Sequence, residues 1–534
     1  MECRQCEEAK KGTGCVNRGV CGKTSETAEL QDVLLYSLSG LALVADEGKK
    51  QNKDIDEAIE HIYESLFSTL TNVNFDNEFF KDRIERSKEL IIKFSTKTKY
   101  DIDCVDYDYK NLEERSGKIG ISSLDSDSDL RSLKELLLYG LKGLAAYYYH
   151  AKILGYNDDG IEDFLVSGLI DLRKTLSAEE LTTKVLACGE AGVNCMALLD
   201  RANTETYGTP EITNVNLGVR NNPGILITGH DLKDLEELLE QTKGTGIDVY
   251  THGEMLPANA YPFFKKYDHL VGNYGGAWCK QKDEFKKFNG PILVTTNCLI
   301  PPDSSYSGKM FTTGITGFEN VKHIRSVKGR KDLSEMIETA KKCDPPTKID
   351  EMSIPIGFAH ATTLSVADKI LTAVESGALK RLVVMAGCDG RRTDRSYYEE
   401  FSKTLPKDTV ILTAGCAKYR YNKLDLGDIG GIPRVIDAGQ CNDCYSLVVV
   451  ALKLAEALGV SVNELPLSFN ISWYEQKACL VLLALLHLNV KNIMLGPTLP
   501  AFVTPNILNV LVENFGITGI SDVKNDMVKL NIPQ

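Results

Sequence analysis

The chain has no uncharged apolar run approaching the ~18 residues a membrane-spanning helix requires, so a membrane partner is not expected. Its first residues, MECRQCEEAKK, lack the apolar stretch of a secretory signal, and its cysteines number an odd 15, which argues against a disulfide-stapled exported fold. Positive charge is in deficit. Sixty-one Lys and Arg against 74 Asp and Glu give a net charge of −13, the wrong sign for a nucleic-acid surface. No internal repeat indicates a solenoid. What remains is a cytoplasmic protein whose cysteines are reduced thiols or metal ligands, working on small molecules with redox partners. A length of 534 residues, 43% of them apolar, allows roughly two to four domains with substantial cores.

The cysteines that are present are unevenly placed. Cys3, Cys6, Cys15 and Cys21 form a C-x2-C-x8-C-x5-C array among Gly12, Gly14, Gly19 and Gly22. Thiolates this close cannot all pair as disulfides without strain, whereas a glycine-rich loop lets backbone amides approach cluster sulfurs. A four-iron four-sulfur cluster is the expected occupant. A structural zinc site is the alternative, but zinc knuckles repeat a short pair and the second pair here is opened.

From about Ser25 to Arg201, apolar residues recur every three or four positions in six segments, which predicts six helices arranged as two small bundles. The Asp- and Tyr-rich stretch from Lys97 to Asp129 reads as an ordered loop or bundle crossover. Cys188 and Cys195 fall seven apart on the last helix and are expected in its core. Beyond NLGVRNNPG, short β-branched runs alternate with amphipathic helices, the signature of parallel sheets with crossover helices. A Pro- and charge-rich break at KKCDPPTKIDEMSIPIG divides this part, giving expected domains 1–217, 218–357 and 358–534.

Seven of nine predicted strands end at a metal-capable residue: His230, Glu254, Cys298, Cys388, Cys416, Cys441 and Glu475. Any one of them could merely turn the chain. Together they lie where open parallel sheets build ligand sites, with two domains facing each other. Four thiolates, one imidazole and two carboxylates suit an iron–sulfur centre of mixed character that keeps an exchangeable position for substrate. Lys477 follows Glu475 by two residues and is either a proton donor or a solvated lysine on a first helical turn. His252 is a weaker relay candidate, better read as a satisfied half-buried histidine. Cys444 makes a C-x2-C with Cys441 and is read as a bystander thiol.

The motifs T-G-H-D, H-G-E-M-L-P-A, T-N-C-L-I-P-P, A-G-C-D-G-R, T-A-G-C, G-Q-C-N-D and W-Y-E-Q-K around these seven positions, with the N-terminal array, resemble the hybrid cluster (prismane) proteins over essentially the whole chain. The resemblance implies a helical N-terminal domain of two three-helix bundles followed by two Rossmann-like α/β domains. It implies a 4Fe-4S cluster on Cys3, Cys6, Cys15 and Cys21, and a hybrid 4Fe-2O-2S-type cluster on His230, Glu254, Cys298, Cys388, Cys416, Cys441 and Glu475, with Cys388 a persulfide. The implied activity is hydroxylamine reduction, with Lys477, Glu475 and His230 at the reacting centre. Electrons would come from an NADH-linked reductase, ferredoxin or rubredoxin type of donor to a monomeric protein. Rival functions are nitric oxide reduction at the same residues, persulfide or nitrosyl transfer through Cys388, and a carbon monoxide dehydrogenase-like reaction, which would need further N-terminal cysteines that are absent.

Overall fold

The computed structural model describes Cys3 and residues 14–95 and 111–532. The six periodic segments fold as helices Ser25–Lys50, Asp56–Ser68, Asn77–Phe94, Ser128–Ile153, Asp159–Asp171 and Ala178–Tyr207. Their starts are set by capping: Thr24 accepts from Thr27, Asp127 from Asp129 and Leu130, and Ser177 forms a reciprocal capping box with Glu180. The first three helices pack together, as do the last three, and both sets share one continuous apolar core. Ser25–Lys50 is long and apolar enough to cross a membrane, but its apolar window is 89% buried inside this bundle. Cys188 and Cys195 are buried in the same core.

Part of the Asp- and Tyr-rich stretch, expected as an ordered loop or crossover, is helical. Residues 96–110 lie outside the described residues, but Leu112–Ile119 is a helix, with Glu113 and Glu114 in its first turn and Lys118 in its last, matching the helix dipole. It is pinned where the Ser116 hydroxyl donates to Asp32 at 2.8 Å.

Two six-stranded parallel sheets follow. The first runs, edge to edge, Leu270–Asn273, Asp248–His252, Gly224–Thr228, Ile292–Val294, Met310–Thr313 and Lys322–Ile324. The second runs Val435–Asp437, Thr409–Thr413, Arg381–Val384, Leu467–Ser472, Ile493–Gly496 and Thr518–Gly519. Both therefore have the doubly wound order 3-2-1-4-5-6, which opens a crevice between the first and fourth strands where chain direction across the sheet reverses. Met310–Thr313, Lys322–Ile324 and Thr518–Gly519 were not anticipated. Met310–Thr313 is buried but only four residues long, Lys322–Ile324 is short and largely exposed, and Thr518–Gly519 is two residues, so none carries the longer apolar run that marked the others. An antiparallel ribbon of Thr213–Asn216 with Ser353–Ile356 joins the chain entering the first sheet to the chain leaving it.

One helix of the second α/β region, Gln476–His487, packs against both Ser128–Ile153 and Ala178–Tyr207. Glycines permit this approach: a Cβ on Gly189 would lie 2.1 Å from the Leu483 carbonyl oxygen, and one on Gly143 would lie 2.7 Å from that of Gln476. The helical region thus grips the helix that begins beside Glu475.

Candidate metal centre

The seven strand-end residues enter one buried region from both sheets. His230 and Cys298 follow the adjacent first and fourth strands of the first sheet, and Cys388 and Glu475 follow the corresponding strands of the second, so four of the seven flank the two crevices. Glu254, Cys416 and Cys441 follow neighbouring strands. His230, Glu254 and Cys441 form the tightest group, their ligand-capable atoms all within 4.8 Å of one another. His230 Nε2 lies 3.7 Å from Glu254 Oε2 and 3.6 Å from Cys441 Sγ. Cys298, Cys388, Cys416 and Glu475 lie outside this trio but within electrostatic reach of its members and of each other.

Hydrogen bonds fix the orientation of these donors. The His230 Nδ1 faces the Asn297 carbonyl and the Thr296 hydroxyl, each at 3.1 Å; a carbonyl only accepts, so Nδ1 carries the proton and the Nε2 lone pair faces the site. Gln440 ties the two sheets together, donating from Nε2 to the carbonyls of Glu254 at 2.8 Å and His230 at 3.2 Å. The next amide, Cys441 N, donates to Glu254 Oε2 at 2.8 Å. Lys418, fully buried, donates to Asp437 Oδ1 and the Gly439 carbonyl, both at 2.5 Å, and so braces the Cys416 turn against the Cys441 turn. Glu475 caps helix Gln476–His487, accepting from Lys477 N at 2.9 Å through Oε2.

The electrostatics describe a crowd of acids in need of positive charge. Burial pushes the Cys441 thiol up to about 11 and those of Cys298, Cys388 and Cys416 well higher, and neighbouring acidic groups add to this. Burial also raises the Glu254 and Glu475 carboxyls, with Lys477 opposing it at both and Lys418 at Glu254. Burial alone would lower Lys477, but Cys441, Glu475, Cys298 and Glu254 raise it instead. Its Nζ lies 3.0 Å from His230 Nε2, 3.1 Å from Asn297 Oδ1 and 3.8 Å from Glu475 Oε1. The solvated-lysine reading therefore fails. Glu254 Oε1 is buried with no hydrogen-bond partner among the described residues. That unpartnered oxygen, the aligned Nε2 and four thiols, Cys416 buried and Cys298, Cys388 and Cys441 partly so, fit a cationic metal centre, and their spread exceeds what one ion could span.

Other candidates sort differently. His252 is fully buried rather than half-buried, with Nδ1 3.0 Å from the Thr228 hydroxyl and Nε2 3.0 Å from Glu284. Cys444 is buried, and its burial raises it further than Cys441. In the N-terminal array, Cys3 and Cys15 exchange two backbone hydrogen bonds of 3.0 and 2.7 Å, and Cys21 is buried nearby in chain; Cys6 lies outside the described residues. This loop touches the segments following two strand-end cysteines. Gly22, at φ 106°, leaves room for Pro301, which a Cβ there would meet at 2.3 Å, and Arg391 donates to the Val20 carbonyl. Sequence reasoning missed Asn297, Thr296, Gln440 and Lys418. Their one visible signal was polar character beside a strand-end ligand, in T-T-N-C, G-Q-C and C-A-K.

A model of the prismane/CO dehydrogenase family matches residues 1–528. The chain belongs to this family. It is 56% identical over 540 residues to a protein named hydroxylamine reductase from Thermoanaerobacter pseudethanolicus, covering 99% of this chain and 98% of that one. A protein of the same name from Methanococcus vannielii is 57% identical over 543 residues, covering 99% of each. Among solved structures, carbon monoxide dehydrogenase IV from Carboxydothermus hydrogenoformans aligns with TM-score 0.56 at 16% identity, over 97% of this chain and 89% of that one. The carbon monoxide dehydrogenase of Thermococcus sp. AM4 aligns with TM-score 0.53, covering 99% and 92%. These two likenesses concern the fold, a helical region followed by two parallel-sheet domains. Membership of the family implies iron–sulfur clusters.

Proposed function

We propose that this protein is an iron–sulfur oxidoreductase that reduces hydroxylamine, taking NH2OH, two electrons and two protons to NH3 and H2O. The observation that carries the reading is the donor set: four buried or partly buried thiols, an imidazole and two carboxyls at the ends of the two sheets' strands, with Glu254 Oε1 unpartnered. The curated relatives named hydroxylamine reductase, alike over nearly the full length, support the substrate. His230, Glu254, Cys298, Cys388, Cys416, Cys441 and Glu475 would hold a hybrid cluster of the 4Fe-2O-2S type, with Cys388 as a persulfide. Cys3, Cys6, Cys15 and Cys21 would hold a 4Fe-4S cluster through which electrons enter. The protein would act as a cytoplasmic monomer fed by a ferredoxin, rubredoxin or NADH-linked reductase, with domains 1–217, 218–357 and 358–534.

Bound among the seven ligands, the hybrid cluster supplies electrons and an exchangeable coordination position. The chain's own residues do the rest. Lys477 holds a proton at Nζ, steered by Asn297 Oδ1, where it can be given to the departing hydroxyl of the substrate. Glu475 divides its oxygens, Oε2 on the helix amide and Oε1 toward the site. Burial keeps bulk water from the reacting atoms.

Anaerobically purified, iron-loaded protein should oxidise a reduced dye only when hydroxylamine is added, releasing one ammonia per two electrons, with iron and sulfide present and nickel absent. Dye oxidation without ammonia, or a nickel requirement, would overturn the reading. A second substrate, nitric oxide, is favoured by one feature: a cavity of ≈ 80 Å³ whose inner end meets Cys388, Cys441, Glu475 and Lys477, and whose remaining wall is mostly aliphatic, including Val193, Met196 and Leu452. An apolar route suits a neutral gas better than hydroxylamine. Steady-state kinetics with both substrates separate the two.

A further inference from the structure

Beside His230, and separate from this aliphatic cavity, is a small cell that none of the assigned ligands explains. His150, near the C-terminus of helix Ser128–Ile153, lays its ring against that of His230, with centroids 6.1 Å apart and planes tilted by 31°. His150 is only 7% exposed, and its Nε2 is buried without a hydrogen-bond partner among the described residues. Asn203, on helix Ala178–Tyr207, is 4% exposed. Both side chains line one cavity of ≈ 10 Å³ together with His230, Gln440, Lys233 and four aliphatic side chains. An unpartnered buried imidazole nitrogen costs about 1–3 kcal/mol if left dry. A cavity of this volume holds about one water when two or more polar groups converge on it.

The cell is not isolated. Ile153 and Lys233 line it and also line a cleft of ≈ 670 Å³ between the helical region and the first sheet, whose walls carry charged and hydroxyl groups such as Asp76, Arg83, Thr316 and Lys331. The aliphatic cavity meets Cys388, Cys441, Glu475 and Lys477, whereas the cell meets His230 and shares Ile153 and Lys233 with the polar cleft. A molecule that keeps strong hydrogen bonds to water sheds them at high cost in the first and can exchange them in the second.

We propose that the cleft and the His150–Asn203 cell form the polar access route to the His230 side of the centre, the cell holding one small hydrogen-bonding molecule in transit: water at rest, hydroxylamine during turnover. The hydroxylamine part rests on the function proposed above; the polar cell does not. His150 offers Nε2, Asn203 offers a carbonyl and an NH2 group, and a hydroxylamine molecule, both donor and acceptor, matches that pair as water does.

The test uses the iron-loaded full chain. A high-resolution crystal structure should show an ordered water within hydrogen-bond distance of both His150 Nε2 and the Asn203 amide, lost in Asn203→Leu. A dry cell overturns the proposal whatever the substrate proves to be. In kinetics, Asn203→Leu and His150→Leu should raise KM for hydroxylamine about tenfold, the loss of one to two hydrogen bonds to substrate, with kcat and the cluster spectrum little changed. Should His150→Leu fail to fold, Asn203→Leu alone decides: an unchanged kcat/KM in a soluble, iron-replete variant overturns the access role. If the unsubstituted protein does not turn over hydroxylamine, the function reading fails, and the crystallographic arm still decides the polar cell.

Discussion

At the scale of single residues, Glu475 carries the most discriminating assignment, because it already has a conventional task as the cap of helix Gln476–His487. As a cap alone, Glu475→Gln would cost at most about 1 kcal/mol, since the amide oxygen can still accept from Lys477 N. As a ligand through Oε1, the same change should nearly abolish hydroxylamine turnover while leaving thermal stability within that small cost. Turnover per iron, measured beside a melting curve on one sample, separates the two; wild-type turnover rejects the ligand role. Lys477→Met tests the proton donor. Iron content should hold while hydroxylamine reduction slows about 10²- to 10⁴-fold across pH, and an unaltered pH–rate profile would remove Lys477 from the proton path.

At the scale of elements, the same helix is held in place by its neighbours' glycines. A methyl on Gly189 meets the Leu483 carbonyl oxygen at 2.1 Å, a backbone atom that cannot swing aside. Gly189→Ala should therefore destabilise by about 1–3 kcal/mol despite alanine's better helix propensity, and should lower hybrid-site iron because Glu475 and Lys477 ride on the displaced helix. Denaturant unfolding and iron counts on the variant check this; a more stable variant with full iron would show that the grip is unimportant. Strand ends were legible because a buried β-branched run stopping at Gly and then Cys, His or Glu is a local pattern, as in GILITG before His230 and TVILTAG before Cys416. The short strands Lys322–Ile324 and Thr518–Gly519 were not, since pairing with a neighbour, rather than their own composition, makes them strands. His150 and Asn203 were equally silent: each becomes meaningful only where the helical region meets the sheets.

At the scale of the whole molecule, the loop carrying Val20 and Gly22 touches the segments after Cys298 and Cys388, so the two proposed centres would be neighbours. Four of the proposed ligands precede the helices and seven follow them. Cys6→Ser with Cys15→Ser should therefore abolish one iron–sulfur signal and spare the mixed-ligand spectrum of the other; joint loss in a soluble, folded protein would contradict two separable centres.

The seven-ligand centre itself is tested most directly by iron anomalous diffraction from crystals grown without oxygen. Two separate groups of iron density are expected, one at the N-terminal cysteines and one enclosed by the seven strand-end residues, with carboxylate oxygens of both Glu254 and Glu475 at bonding distance. Iron at the N-terminal array alone, or a second group held without either carboxylate, would contradict it.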